Sequence, residues 1–334
     1  MAAVVGSMQP IALPYTAFAA LLGALPAIGQ DAPHLLADVS PASSAQDALV
    51  VAAPDGASGA FLAGYRHVGG VNEKALLLRV DVTGTVLSEV EFGATLPVVS
   101  GGWIKTRALA LEPDGSGGAF VAGSISGSGF AGLGQDLLDG FVAHLDSHGS
   151  ILWATRLAGT GSEVVLDLCA DTSGGVFAVG TAIDGALGGP GQAGFVDTFV
   201  ARVDGSGAIS FVSRYSQLGE YARFASATPD GAGGVICGGR ATRLNPPYDT
   251  VLTARYDGAG GQHWVIDDNA IDLSSSLVAS DGAGGFFLGG QTRGAVTGFG
   301  GGQGVLCLQS HQLDTRQFIQ WSGVQGQNSL QLDP

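Results

Sequence analysis

Short apolar runs separated by acidic-glycine turns recur along this chain, and no stretch keeps a helical apolar period. The unit is clearest at 139–181, which reads DGFVAHLDSHGSILWATRLAGTGSEVVLDLCADTSGGVFAVGT. Two apolar runs flank Asp146-Ser147-His148-Gly149, and two more flank the turn at 171–175. The pattern predicts strand, tight turn, strand, loop, strand, tight turn, strand.

The rest of the chain repeats this unit. One marker is a turn acid followed by a short apolar strand ending in glycine. Asp55 leads to GAFLAG, Asp114 to GGAFVAG, Asp171 to GGVFAVG, Asp230 to GGVICGG and Asp281 to GGFFLGG. These acids lie 59, 57, 59 and 51 residues apart (55, 114, 171, 230, 281). A second marker falls between them: LLLRVDVTG (76–84), FVAHLDSHG (141–149), FVARVDGSG (199–207), LTARYDGAG (252–260) and a degenerate GVLCLQSHQLD (304–314). Each unit therefore carries two hairpins. Asp-Gly and Gly-rich pairs supply the positive φ that two-residue hairpin turns need. Four-stranded units at this spacing predict an all-β fold, a β-propeller of antiparallel blades.

Strands are expected near 48–54, 59–64, 74–81 and 85–92 in the first unit, and near 106–112, 118–124, 139–146 and 150–157 in the second. The third should use 164–170, 175–181, 197–204 and 208–215, and the fourth 221–228, 233–239, 249–256 and 261–267. The fifth should use 273–280, 284–290, 304–310 and 315–321. The chain of 334 residues reads as one domain, with five clear repeats over 46–320. The ends allow two readings. Residues 1–45 supply three strands and 321–334 one strand of a shared sixth blade, which would leave no open sheet edge. Alternatively, the apolar stretch QPIALPYTAFAALLGALPAI (9–28) is an export segment and five blades remain. The repeat spacing favours six. Against export, no Lys or Arg precedes Arg66, so a basic leader region is missing. Pro10, Pro14, Pro26 and Gly23 argue against a membrane-spanning helix.

Composition adds limits. The net charge of −15 argues against a nucleic-acid partner, whose phosphates call for basic patches. Cys169, Cys237 and Cys307 fall in different units without a CxxC, so buried thiols are expected. The six histidines show no metal-ligand spacing, and no GxSxG or phosphate-binding loop occurs.

The string DGFVAHLDSHGSILWATRLAG followed by VVLDLCADTSGGVFAVGT resembles the bacterial SBBP-type β-propeller repeat, and related repeats marked by PDG, a short strand and VAG. The resemblance covers most of 46–320. It implies a propeller fold and an exported or surface-associated protein, usually without an assigned enzyme activity.

Several recurring residues are expected to be structural. Arg79, His144, Arg202 and Arg255 each stand two residues before Asp81, Asp146, Asp204 and Asp257, so each pair shares a strand face and can interact. Trp153, Phe211 and Trp264 lie seven residues after those turn acids, where blade packing is expected. Asp-Gly turn chemistry accounts for the turn acids without calcium. For a cation such as Ca2+, the candidate set is Asp139, Asp197 and Asp249, before three third strands; no cofactor is otherwise expected.

The functional face should be the one holding the long segments 65–73, 94–105, 124–138, 181–196, 240–248 and 291–303. The distinctive side chains there are Arg66, His67, Trp103, Lys105, Arg240, Arg243, Asn245, Tyr248 and Arg293. Arginines and aromatics on an acidic protein suit a polar or anionic ligand. The expectation is a monomeric, non-catalytic binding or scaffold module for a protein or glycan partner. The alternative is a propeller enzyme, a polysaccharide lyase or hydrolase at the channel mouth, with His67, Tyr248 and Asp249 as its only loose candidates.

Overall fold

The computed structural model describes residues 47–332, apart from 70–71, 96–103, 131–132, 185–186, 188–195, 218–219, 245–246, 269–272, 282–284, 293–304, 310–315 and 325–326. Trp103, Asn245, Arg293 and the expected strands before residue 46 lie outside these residues. The described chain is all-β. The first unit comprises β1 (Asp47–Pro54), β2 (Ala60–Gly69), β3 (Asn72–Val80) and β4 (Val86–Phe92). The second comprises β5 (Lys105–Pro113), β6 (Ala119–Phe130), β7 (Leu133–Leu145) and β8 (Ile151–Leu157). The third holds β9 (Ser162–Ala170), β10 (Val176–Ile183), β11 (Val196–Val203) and β12 (Ile209–Tyr215). The fourth holds β13 (Glu220–Pro229), β14 (Val235–Leu244), β15 (Pro247–Tyr256) and β16 (Gln262–Asp268). The fifth holds β17 (Leu273–Ser280), β18 (Phe286–Thr292), β19 (Val305–Gln309) and β20 (Arg316–Val324), followed by β21 (Gln327–Leu332).

Each unit is an antiparallel meander. The first strand of units two to five packs on the first three strands of the unit before it. Each apolar cluster accordingly lies between consecutive units. Phe61, Leu77, Phe130 and Phe141 fill the first interface; Phe120, Leu157, Val176 and Phe199 the second; Phe177, Phe224, Leu252 and Tyr256 the third. Face-to-face stacking of four-stranded meanders, led by their first strands, is a propeller-like arrangement. A single parallel bridge, Glu73 to Lys105, also joins the first two sheets. Strand β21 pairs antiparallel with β20 and is the outermost strand of the fifth sheet. This is the segment expected to open a closing blade. Among the described residues no helix is long and apolar enough to cross a membrane.

The repeated glycine of the first marker has a steric cause. The first strand bulges opposite Gly64, Gly123, Gly180 and Gly239. A Cβ there would land on the carbonyl oxygen of Ala48, Arg107, Val164 or Arg223, respectively. The bulge pushes that carbonyl into the space a side chain would need.

The hairpin turns differ from expectation. Pro54 pairs with Ala60 and Val80 with Val86, so each loop holds five residues rather than two. The turn acid closes it: Asp55 Oδ1 accepts from the N–H of Ala57 and Gly59, both at 2.8 Å. Asp81 does the same for Thr83 and Thr85, at 2.8 and 2.9 Å. An Asx-type loop needs the carboxylate more than it needs paired glycines.

The basic residues of the second marker also choose another partner. Arg79 Nε donates to Asp55 at 2.9 Å, Arg202 Nε to Asp171 at 2.9 Å and Arg255 Nε to Asp230 at 2.8 Å. His144 Nε2 lies 2.9 Å from Asp114. The expected neighbours two residues on, Asp81, Asp146, Asp204 and Asp257, bind their own loops instead. The clasp thus joins the two hairpins of one blade across the β2–β3 type of pairing. The fourth-strand aromatics do pack between blades: Trp153 lies over Gly207 and donates its indole N–H to the Gly205 carbonyl at 3.0 Å, and Phe211 lies over Gly260.

A further polar link runs along the first strands. The Ala170 N–H donates to Glu112 at 3.3 Å, the Ala227 N–H to Asp167 at 2.8 Å and the Ser280 N–H to Thr228 at 2.9 Å. The second, third and fourth blades so latch the backbone of the next.

Candidate functional site: a two-arginine cleft between the third and fourth blades

The end of the stack opposite the hairpin turns carries the residues that vary between blades. Three segments expected there as loops are largely strand. The β2–β3, β6–β7 and β14–β15 pairs continue through 65–69, 124–130 and 240–244. In β6 the run SISGSGF keeps Ile125 and Phe130 buried, with register shifts at Ile125/Gly127 and Ser128/Phe130 absorbing the glycines. Its Gly-Ser content reads as loop, but its apolar ends pay for an extended arm.

The expected binding residues fall into two separate groups. Arg66 is buried and saturated: Nε and Nη2 bond Asp47 at 2.7 and 2.8 Å, and Nη1 meets Glu89 and Glu91. Those acids, Asp47 first, push its pKa up. Arg66 is therefore a strand clamp. Beside it, buried Glu73 gathers Arg107 at 2.5 and 2.8 Å, His67 at 3.7 Å and Lys105 at 4.0 Å. The Arg107 hydrogen bond holds the Glu73 carboxyl below the ordinary range. The Arg107 guanidinium also covers the Tyr65 ring, 4.7 Å from its centroid.

The three acids considered for a cation are each engaged in their own blade. Arg156 Nε donates to Asp139 at 2.8 Å, Arg214 bonds Asp197, and Asp249 accepts from the Thr242 hydroxyl at 2.6 Å with Arg240 at 3.6 Å. Among the described residues no group of three or more His, Cys, Asp or Glu side chains is placed to hold a metal. His67 and Asp249 stand in the first and fourth blades, on β2 and β15, and the Tyr248 side chain lies outside the described ones.

The second group is in the fourth blade. Arg243 pairs with Glu220 at 2.7 Å. Arg240, however, stands directly across the β13–β14 ladder from Arg223, and Thr242 across from Tyr221. Residues opposite one another in an antiparallel pair share a face, and like charges there repel. All four line a cleft of about 360 Å³ at the third interface. Its other wall comes from Val164, Leu166, Thr181, Ile183 and Val196 of the third blade. Tyr221 and Arg223 are exposed, and Arg240 and Thr242 half-buried. Desolvation first, and the Arg240 charge second, pull the Arg223 guanidinium below its ordinary value. No hydrogen bond or carboxylate engages the Arg223 side chain among the described residues.

Arg240 was expected on this surface; Arg223 and Tyr221 were not. A signal was present. The residue after the marker glycine is Tyr65, Ser124, Thr181 and Arg240 in successive blades, and its cross-strand partner is Ala48, Arg107, Val164 and Arg223. Two arginines meet in that slot in the fourth blade alone among these four.

No family model and no curated protein matches the sequence. Among solved structures, the chain is similar to an alpha-L-arabinanase of Penicillium chrysogenum complexed with arabinobiose, at 12% identity and a TM-score of 0.42 over 76% of each chain. It is also similar to a lignostilbene dioxygenase of Pseudomonas brassicacearum, at 12% identity and a TM-score of 0.40. That match covers 73% of this chain and 58% of the other.

Proposed function

We propose that this chain is a non-catalytic binding module on a propeller scaffold, engaging a protein or glycan partner at the end opposite the hairpin turns. Closure of the stack into a ring, by five blades or six, is part of this reading. One observation carries it: a cleft where two cross-strand arginines and an exposed tyrosine face an apolar wall. Elsewhere at that end, Arg66, Arg107, Arg156 and Arg214 are held by carboxylates and act as internal clamps. A concave, largely apolar surface with a few polar groups is the usual form of a ligand site.

The enzyme alternative needs a positioned acid and base. Glu112 and Asp167 have carboxyls pushed up to about 7 by burial, yet each already accepts a backbone N–H from the next blade. Retention of the purified chain on a panel of immobilised polysaccharides and surface proteins tests the proposal, alongside release of reducing ends with and without divalent cations. Retention without product is expected. Catalytic release of product from any retained polysaccharide overturns it in favour of the enzyme.

A further inference from the structure

Resting on the binding reading above, we propose that the cleft between the third and fourth blades takes an anionic sugar residue. Its carboxylate lies against Arg223 and Arg240, and its ring against Tyr221 and the apolar wall.

The electrostatics come first. Arg223 and Arg240 are direct cross-strand partners, and Arg240 already has Asp249 at 3.6 Å. Asp249 is also held by the Thr242 hydroxyl, and Arg223 receives no such acid among the described residues. An oxyanion placed between the two guanidiniums replaces their repulsion with two charge-assisted contacts. A planar carboxylate matches the guanidinium fork.

The remaining lining decides what carries the carboxylate. Val164, Ile183 and Val196 present an apolar wall, and Tyr221 adds an exposed ring. A pyranose ring has C–H faces that suit such surfaces. The Thr181 hydroxyl can both donate and accept, and the Thr242 hydroxyl, donated to Asp249, can still accept from a ring hydroxyl. A volume of about 360 Å³ is near the lower end for ligand sites and suits one or two sugar rings. An acidic peptide would also use the arginines, and its backbone could meet the threonines, but it lacks the flat C–H ring face that the Tyr221 ring and the apolar wall would cover.

Isothermal titration calorimetry on the full chain tests this with cellobiouronic acid, cellobiose as its neutral counterpart, and triglutamate. The expected result is measurable binding of cellobiouronic acid, with cellobiose weaker by about tenfold or more. Arg223→Ala should abolish that preference. Because Arg223 is exposed and faces a like charge, Arg223→Ala should melt no lower than wild type, and Arg223→Lys should restore only part of the affinity. Equal affinity for the two disaccharides, unchanged by Arg223→Ala, overturns the anionic-sugar site while leaving the binding module intact. Failure to bind cellobiouronic acid, or tighter binding of triglutamate, overturns it equally. Cleavage of the disaccharide would instead sink the non-catalytic reading, and the Arg223 dependence of affinity would still uphold the site.

Discussion

Arg202 reaches across from the third strand of its blade to Asp171 in the opposite hairpin, its Nε 2.9 Å from Oδ2, while Oδ1 of the same acid holds the Ser173 and Gly175 amides. Burial alone would raise the Asp171 pKa, but the Gly175 amide, Arg202 and Ser173 together hold it below the ordinary 3.8. A carboxylate depressed in the folded chain adds stability that is present above its unfolded pKa. That stability is lost as pH falls through the lower folded value. Asp171→Asn should therefore cost about 2 kcal/mol at pH 7, in the range for hydrogen bonds to a charged group. The cost should shrink below pH 3.8. Urea denaturation of both proteins at the two pH values measures it.

The glycine opposite each first-strand bulge should resist substitution. Gly239→Ala drives a methyl onto the Arg223 carbonyl, and the expected loss is about 3 kcal/mol. Gly231→Ala is the control: φ is +75° and nothing lies within 4 Å, so only left-handed strain applies, about 1 kcal/mol. Similar losses from the two variants in a thermal melt would count against the bulge as the cause.

Glu112 and Asp167 predict an alkaline trend. Burial lifts both carboxyls to about 7. A raised acid favours the folded chain while protonated. Its contribution is complete below the unfolded pKa, 4.5 for Glu and 3.8 for Asp, and declines as pH rises toward about 7. Asp167→Asn keeps an oxygen for the Ala227 amide and removes the charge. Its melting temperature relative to wild type should be higher at pH 8 than at pH 5. The reverse order would show that the ionised form is the better latch.

Trp153→Ala should cost about 2 kcal/mol, less than a fully buried indole because the ring is half-buried. It removes the cover over Gly207 and the bond to the Gly205 carbonyl. Trp153→Phe should recover most of the loss, since Phe211 fills the same slot over Gly260 without an N–H. Chevron or equilibrium urea data on the three proteins separate the packing part from the hydrogen bond.

Much of the fold could be read from the sequence because its signals are local. An Asp followed within four residues by Gly closes its own loop, and apolar runs between such loops have no other use than strands. The partner of Arg202 could not be read in this way. Asp204 and Asp171 are both in reach of a strand residue, and only the β10–β11 register, which sets Phe177 opposite Arg202, brings Asp171 within bonding distance. The same limit hid the cleft. Arg240 stood out as a cation in a variable segment, but Arg223 became notable only once the β13 bulge fixed which residue it faced. The acids that hold Arg66 were hidden for a related reason: Glu89 and Glu91 are distant in sequence and lie on β4, two strands from β2, with β3 between them.

The first-strand latches give the stack a direction. Glu112, Asp167 and Thr228 each supply an acceptor to the blade that follows and, among the described residues, none to the one before. Stripping strands from the C-terminal end under tension would free acceptors that water can satisfy in place. Stripping them from the N-terminal end would take the acceptor away from an amide still folded inside the next blade. The molecule should therefore unravel under force at different loads from its two ends, like a row of shingles lifted with or against the overlap.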